Sequence, residues 1–322
     1  MKKLTDLCRL LILAGCAPGL FTCAVAYGPN GHETVGYIAD ELIQGTPAET
    51  HVKALLGNDT LGNAATWADR AKAKHLTDPE MIAFTKANPK HHDYHYTDVP
   101  IQEVQYVDGT VGTSPNDIVH TTKQCIEVLR GNDTPATNPH GFSPRLALML
   151  LAHYVGDLHQ PLHVGAAYFR TVNGREQMRD PNTVPGCTND LGGNWIQYKT
   201  TELHMYWDDQ TVAAAMAHAG ASTAQAYASH IVGNSPVVSQ TPGAVTDWPQ
   251  KWAEEMLPIA ANAHRGLKFG PRTSKTEFGQ THPEWTVTKA PKNYETWARD
   301  TVDERLTVAG YRLAQVLHAI WP

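Results

Sequence analysis

The chain has 322 residues, of which 42% are hydrophobic and 18% charged, a composition typical of a globular protein with a sizeable core. Its formal net charge of −6 excludes a protein that binds duplex DNA through a broad basic face. If the protein handles phosphate groups, bound cations must supply the positive charge. Three of the five cysteines lie in the first 26 residues. The other two, Cys125 and Cys187, could form one disulfide but make no cysteine framework.

Residues 1–26 have the pattern of a secretory signal peptide. Basic residues at positions 2, 3 and 9 precede an apolar segment, and Ala24-Val25-Ala26 is a small-x-small cleavage site. We expect the mature chain, residues 27–322, to begin at Tyr27 and to be secreted or periplasmic. It would carry 23 Lys and Arg against 31 Asp and Glu, a formal net charge of −8. The alternative is a bacterial lipoprotein box that would lipidate Cys16.

The stretch from Ser143 to His163 predicts a central helix. Ser143 is suited to the N-cap and Pro144 to the first helical position. Residues 146–155 are apolar on nearly all faces, so this helix should run through the middle of a domain. His153 and Asp157 are spaced to share one face of it. A buried carboxylate needs a partner, and a metal cation is the simplest one here, the alternative being that the two side chains only hydrogen-bond each other.

A second His-x-x-x-Asp pair makes the metal interpretation stronger. His204 and Asp208 repeat the spacing in the segment LHMYWD, on a separate predicted helix. His163 follows closely after Pro161, which ends the central helix. Two such pairs on different helices favour a shared cation over coincidence.

Three further candidates lie in the first third of the chain. His32 lies at the Gly-rich start of the first predicted helix, where a surface or capping role is the alternative. Asp69 lies on the short helix of ATWADR, where a salt bridge to a nearby Arg or Lys would also explain it. His95 lies between two tyrosines in a segment for which we predict extended structure, while His91 and His92 are expected to be exposed.

The remaining segments predict helices and one long irregular stretch. Residues 164–191 are too long for a simple connector and should border a cleft, and they lead into Gly192-Gly193-Asn194, where small residues allow close approach of a ligand. A short strand is expected at residues 195–200, and helices at residues 213–231, 245–268 and 294–320. With no repeat or linker after residue 26, we predict one helical domain.

Together the candidates offer more ligands than one tetrahedral zinc can use, so they suit a cluster. Imidazoles and carboxylates without thiolates favour zinc, although ligand type alone leaves manganese and iron open. Several zinc ions can activate water at neutral pH and hold a phosphoryl group, as phosphodiester hydrolysis requires. The eight side chains are His32, Asp69, His95, His153, Asp157, His163, His204 and Asp208.

The motifs GHETVGYIA, ATWADR, HYTDVP, HYVGDLHQPLH, GGN, LHMYWD and AGYRLA run in order along nearly all of the mature chain. In these motifs the chain resembles the single-strand-specific zinc nucleases of fungi and the bifunctional nucleases of plants, in the superfamily of zinc-dependent phospholipase C. The resemblance implies a mainly α fold, a single multi-helix domain of the zinc-dependent phospholipase C and nuclease type with a trinuclear zinc cleft.

The resemblance also implies how three Zn²⁺ ions would be held. The first would bind Asp69, His95, His153 and Asp157, and the second would bind His163, His204 and Asp208. The third would bind His32, Asp157 as a bridge, and the free amino group and carbonyl of Tyr27. The family usually has Trp at this last place; because the contacts are backbone atoms, Tyr should be tolerated. Signal cleavage would then be part of site assembly.

For the reaction, the resemblance implies in-line attack by water on single-stranded DNA and RNA, giving 5′-nucleotides, with activity on 3′-nucleotides as well. Asp98 would orient or deprotonate the water, Asn194 would lie near the phosphate, and Tyr96 could stack a base or simply pack in the core. No stable membrane insertion and no oligomer are implied, so a monomer is expected. Alternatives are a zinc-dependent phospholipase C and a zinc-binding protein without catalysis.

Overall fold

The fold is mainly helical, and the computed structural model describes residues 27–277 and 279–322. The predicted signal peptide and the Cys16 lipidation site lie outside these residues. The helices of the described chain are α1 Gly28–Leu42, α2 Pro47–Leu56, α3 Leu61–Ala64, α4 Trp67–Arg70, α5 Pro79–Ala87, α6 Ile118–Leu129, α7 Pro144–Asp157, α8 Leu203–Met205, α9 Thr211–His218, α10 Ala224–Gly233, α11 Trp248–His264 and α12 Tyr294–Ile320. The prediction of a mainly helical single domain is confirmed.

Helix α7 is the centre of the core, as its sequence predicts. The Ser143 hydroxyl accepts a hydrogen bond from the Leu146 backbone N–H at 3.2 Å, and Pro144 begins the helix. Every residue from 146 to 157 is buried. Burial of one large aliphatic side chain contributes about 1.5–3 kcal/mol, so this helix holds its polar residues on a rigid support.

Close packing of α1 positions the start of the described chain against α7 and α12. A Cβ atom added to Gly156 would lie 2.9 Å from Nδ1 of His32, so glycine is needed where α1 approaches α7. On the other side of α1, a Cβ added to Gly310 of α12 would lie 2.5 Å from Cβ of Ile38. Helix α1 is therefore held between two helices from distant parts of the chain.

In the part of the chain that the structure describes, ten short strands form three small sheets beside the helices. They are β1 Val99–Pro100, β2 Gly165–Ala166, β3 Tyr168–Val172, β4 Arg175–Met178, β5 Thr188–Asn189, β6 Ile196–Tyr198, β7 Thr201–Glu202, β8 Lys268–Phe269, β9 Thr273–Glu277 and β10 Gln280–Lys289. Strands β1 and β2 pair in parallel, β3 lies between β4 and β5, and the third sheet has the order β7-β6-β10-β8 with β9 also paired to β10. The residues expected to be irregular thus contain the β3–β4 hairpin.

Several local predictions were wrong. The segment around His95 is a 3₁₀ helix from His91 to His95, because backbone bonds such as Asp93 N–H to Lys90 O, at 2.8 Å, wind it. His91 is buried, with its ring against Phe84. The helix expected at residues 213–231 is divided into α9 and α10, and the one expected at 245–268 begins with a 3₁₀ turn and ends as α11 at residue 264.

Two further observations concern cross-links and membranes. Cys125 and Cys187 are both free thiols, so they form no disulfide with each other. Within residues 27–277 and 279–322, no helix combines the length and the apolar character needed to cross a bilayer.

Candidate metal centre

The end of helix α7 brings Asp157 into the middle of three imidazoles. Asp157 Oδ2 lies 3.1 Å from His153 Nε2 and 3.1 Å from His95 Nδ1. Asp157 Oδ1 lies 3.2 Å from His32 Nε2. All four side chains are buried. His153 and Asp157 are one turn apart on α7, His32 comes from α1, and His95 ends the 3₁₀ helix, so three separate elements meet at this carboxylate.

Asp69 of α4 faces the same group of side chains. Its Oδ1 lies 3.6 Å from His153 Nε2 and 3.8 Å from His95 Nδ1, and its Oδ2 lies 4.0 Å from His32 Nε2. Two ligands of one tetrahedral zinc, each about 2.0–2.2 Å from the ion, are separated by about 3.3–3.6 Å. The 3.6 Å spacing falls within this range, and the 3.8 Å and 4.0 Å spacings lie just above it. We call Asp69, Asp157 and the three histidines the first group.

The second group consists of His163, His204 and Asp208. His204 Nε2 lies 3.0 Å from His163 Nε2 and 3.3 Å from Asp208 Oδ2, and His163 Nε2 lies 4.0 Å from Asp208 Oδ1. Asp208 lies on a π-helix, Tyr206–Gln210, which follows α8 directly. Such one-turn π segments are frequent at functional sites because they change the direction of a side chain within a helix.

Hydrogen bonds to backbone carbonyls fix which ring nitrogen of these histidines faces the site. Nδ1 of His163 donates to the carbonyl of His95 at 2.7 Å, and Nδ1 of His204 donates to the carbonyl of Gly192 at 2.7 Å. In the first group, Nδ1 of His153 donates to the carbonyl of Ala65 at 2.6 Å. A carbonyl only accepts, so Nδ1 carries the proton and Nε2 of each neutral ring presents a lone pair to the site.

The donor set fits resident cations. Two neutral imidazoles whose Nε2 lone pairs face each other at 3.0 Å repel each other unless a cation lies between them. Several buried atoms of the site also have no hydrogen bond among the described residues: Oδ1 of Asp157, Oδ2 of Asp69 and of Asp208, and both ring nitrogens of His32. Buried polar atoms of this kind are costly without a partner. Mixed nitrogen and carboxylate oxygen donors are those that zinc accepts.

The main chain of Tyr27 borders the second group. Tyr27 is buried and has a left-handed backbone, with φ 40° and ψ 16°. Its hydroxyl donates to the carbonyl of His159 at 2.9 Å, and its backbone N–H hydrogen-bonds the Asp208 carboxylate. A Cβ atom added to Gly28 would lie 2.2 Å from Oδ1 of Asp209, so the chain is pressed against this segment.

Charges in the site are strongly coupled. Burial raises the pKa of Asp157, but the imidazoles of His153, His163 and His32 outweigh it and hold this pKa well below its usual range. Burial lowers the pKa of His32 and raises that of Asp208 to about 8, with His163 acting in the opposite direction on Asp208. Metal ligation requires neutral imidazoles and ionised carboxylates, so binding of a cation here would depend on pH.

Lys72 is a member of the site that the sequence did not identify. Its Nζ lies 2.6 Å from Oδ1 of Asp69, and both side chains are less than a tenth exposed. Burial raises the pKa of Asp69, whereas Lys72 and the neighbouring imidazoles lower it to about 2. The salt bridge to a nearby Lys therefore exists, and it leaves Oδ2 of the same carboxylate directed at His32. The ligand role of Asp69 stays a prediction.

A cavity of about 770 Å³ opens onto the two groups. Lys72, His95, His163 and His204 line it, together with all three of the predicted substrate-side residues, Tyr96, Asp98 and Asn194. Burial raises the pKa of Asp98 to about 7, and a hydrogen bond from the Asn189 amide, 2.9 Å from Oδ2, acts in the opposite direction. Tyr96 is half-buried.

Every predicted site side chain therefore lies at the cleft or in the groups beneath it, and the main chain of Tyr27 lies beside Asp208. The sequence missed Asn189 and Gln160, whose amide donates to Oδ1 of Asp208 at 2.7 Å. Gln160 lies inside the HYVGDLHQPLH motif, so its position was a signal that could have been used. Asn189 lies in the stretch predicted to be irregular, where no pattern marks it.

Comparisons with known proteins agree with this geometry. Nuclease S1 of Aspergillus oryzae is 29% identical over 234 residues, which are 68% of this chain and 66% of the fungal protein. Endonuclease 3 of Arabidopsis thaliana is 26% identical over 211 residues, 60% of this chain and 57% of the plant protein. In these two alignments the chain spans less than two thirds of the relatives' own length. Endonuclease 2 of the same plant is 24% identical over 314 residues, 92% of this chain and 90% of that protein.

A match to the whole family extends further than the first two of these alignments and covers about the same share of the chain as the third. It covers residues 27–322, and the family is described as S1/P1 Nuclease. The matched region includes every helix that contributes to the two groups. The resemblance inferred from the motifs is confirmed, and the chain belongs to the zinc-dependent S1/P1 nuclease family.

Proposed function

We propose that this protein is a secreted phosphodiesterase that uses three zinc ions to cleave single-stranded DNA and RNA to 5′-nucleotides, and that it also removes phosphate from 3′-nucleotides. It would act as a monomer on nucleic acid in solution. The observation that carries the proposal is the pair of facing Nε2 lone pairs of His163 and His204, 3.0 Å apart at the floor of an open cleft. Family membership supports the choice of a phosphodiester as substrate.

Zinc held by these residues would supply a Lewis acid and a water that ionises near neutral pH. The first ion would be held by Asp69, His95, His153 and Asp157, and the second by His163, His204 and Asp208. The third would be held by His32, Asp157 and the main chain of Tyr27. Because Tyr27 contributes its amino group, cleavage of the signal peptide after Ala26 is part of the proposal.

Four side chains that line the cleft would have the remaining roles in the reaction. Asp98 accepts the proton of the attacking water, a role suited to a carboxylate whose pKa is about 7. Lys72, beside Asp69, offsets negative charge as the phosphate enters. Asn194 contacts the phosphate from the glycine-rich turn. Tyr96 stacks an unpaired base, which gives a preference for single strands because paired bases do not expose their faces.

The test combines composition and activity on one secreted preparation. We expect an N-terminal Tyr27, about three zinc ions per chain, release of 5′-nucleotides from single-stranded DNA and RNA, slow attack on duplex DNA, and no phosphocholine from lecithin. Release of phosphocholine without nuclease activity would favour the phospholipase instead. Bound zinc with neither activity would favour the zinc-binding protein without catalysis.

A further inference from the structure

Residues 189–194 connect strand β5 to the glycine-rich turn and contact the proton acceptor of the proposed reaction. Nδ2 of Asn189 donates to Oδ2 of Asp98 at 2.9 Å. Oδ1 of the same amide accepts from the Leu191 backbone N–H at 2.8 Å. These two partners fix which end of the amide faces Asp98, since a backbone N–H cannot accept and a carboxylate cannot donate.

The main chain of Asp98 is held separately from its carboxylate. Its backbone N–H donates to the carbonyl of Gly112 at 2.9 Å, and its carbonyl accepts from the Tyr168 hydroxyl at 2.9 Å. Both contacts place the Cα atom and leave rotation of the side chain free. Asn189 is the side chain that sets the direction of the carboxylate.

The residue after Asn189 is anchored deep in the protein. Asp190 and His264 are both fully buried, and Nε2 of His264 lies 2.9 Å from Oδ2 of Asp190. Oδ1 of Asp190 accepts from the Ala167 N–H at 2.9 Å, and Nδ1 of His264 donates to the carbonyl of Ala260 at 2.8 Å. This pair fastens the segment to the last turn of α11, outside the two groups of ligands.

We propose that Asn189 is a positioning residue that aims the Asp98 carboxylate at the attacking water, and that the Asp190–His264 pair holds Asn189 in place. The inference rests on the proposed function, because it assumes that Asp98 accepts a proton. Asn189 contacts no reacting atom and acts through Asp98.

Other charged and titratable groups also face Asp98. Asp93 and Asp190 raise its pKa, and the hydroxyl groups of Tyr96 and Tyr168 lie close enough to feel its charge. Replacing Asn189 leaves Asp93, Asp190 and Tyr96 unaltered, and it removes one long contact to the remaining group, 3.5 Å from Nδ2 of Asn189 to the Tyr168 hydroxyl, which itself bonds the Asp98 main chain.

The decisive experiment is a double-mutant cycle on the zinc-loaded full mature chain. Asn189→Ala should lower kcat on single-stranded DNA by about 10–100-fold, with KM and zinc content unchanged. In the Asp98→Asn background it should have no further effect. The matched control is Asn182→Ala, which removes a 3.0 Å amide to carboxylate bond, to Glu103, elsewhere in the same long segment. Its kcat should equal that of the unaltered chain.

The pH dependence of kcat adds a second measurement, because a general destabilisation of the fold would not shift its acidic limb. Loss of the amide donor should shift the acidic limb of kcat upwards by about one pH unit, because the hydrogen bond favours the ionised carboxylate. His264→Gln, which keeps a donor but loses the charge, should give a smaller shift in the same direction. An equal loss of kcat in both backgrounds, or an unmoved acidic limb in Asn189→Ala, overturns the inference.

Failure of the proposed function is separable from failure of this inference. If the unaltered chain cleaves no nucleic acid, the function is wrong. The ¹³C carboxyl signal of Asp98, assigned by its loss in Asp98→Asn, then still shows whether Asn189→Ala changes its titration, and an unchanged titration overturns the positioning role.

Discussion

Replacing Asp157 by Asn should remove two of the three zinc ions that we propose. Its carboxylate oxygens lie 3.1 Å from His95 and His153 and 3.2 Å from His32, so this side chain is shared between two of the proposed sites. Asparagine keeps the volume and one oxygen but loses the charge. It also places an N–H₂ group, which cannot ligate a cation, where one of the two carboxylate oxygens lies. The group of His163, His204 and Asp208 should keep its ion.

The size of the effect follows from linkage. At free zinc 100-fold above Kd, each bound ion stabilises the folded chain by about 2.7 kcal/mol, so the variant should lose about 5 kcal/mol. For a mature chain of this length, that corresponds to a fall in Tm of about 8–9 °C. Loss of a single preorganised donor already lowers kcat by about 10²–10³, so the loss of two cations should exceed this factor.

The assay measures zinc per chain after dialysis, Tm by calorimetry, and hydrolysis of single-stranded DNA. The matched control is Asp40→Asn, a half-buried carboxylate of α1 that accepts from the backbone N–H groups of Leu61 and Gly62 at 3.1 and 3.2 Å. It should retain all three ions and full activity. An Asp157→Asn protein with three zinc ions and the original rate would refute the shared-ligand reasoning.

Three further predictions address the same site. Gly156→Ala should lower zinc content and kcat, because the added Cβ would lie 2.9 Å from Nδ1 of His32. We expect this although alanine itself favours a helix by about 1 kcal/mol. Metal analysis together with the Tm of the apo-protein tests this, and an unaltered zinc content would contradict it. A chain carrying one extra alanine before Tyr27 should bind two ions instead of three, since its amine is displaced; equal binding by both chains, measured by titration calorimetry, argues against that ligand. Because burial raises the pKa of Asp98 to about 7, this carboxyl is protonated below pH 7 and cannot accept a proton, so kcat should fall about tenfold per pH unit below that value. In Asp98→Asn, with zinc retained, the acidic limb should be absent from the pH–rate profile, and its persistence would assign it to another group.

Much of the fold and site could be predicted because the relevant signals are local in sequence. Helix α7 follows from an N-cap serine, a proline at the first helical position and a continuous apolar run, and α12 has the predicted bounds. Spacing of four residues placed His153 with Asp157 and His204 with Asp208 on common faces. These features depend on backbone geometry and need no knowledge of distant contacts.

What the sequence missed depends on tertiary contacts. The hairpin of β9 and β10 lacks a clear alternating pattern, and β10 is fixed by pairing with β6 from a distant segment. His91 looked like a solvent-exposed residue in a polar turn but is buried beside Phe84. Lys72 reaches Asp69 because α4 unwinds into a turn, and only the folded chain shows which nearby basic residue makes the ion pair.

The packing of α1 against α12 has a consequence for biosynthesis. His32 lies in α1 and Tyr27 is the N-cap of this helix. Helix α1 packs closely against Gly310 and its neighbours in α12, which are synthesised nearly three hundred residues later. A nascent chain that is emerging from the ribosome or crossing a translocation pore therefore cannot assemble the two groups of ligands until almost all of the chain has emerged. We expect an incomplete chain not to cleave the messenger RNA being translated or the ribosomal RNA around it, because α12 has not yet been made.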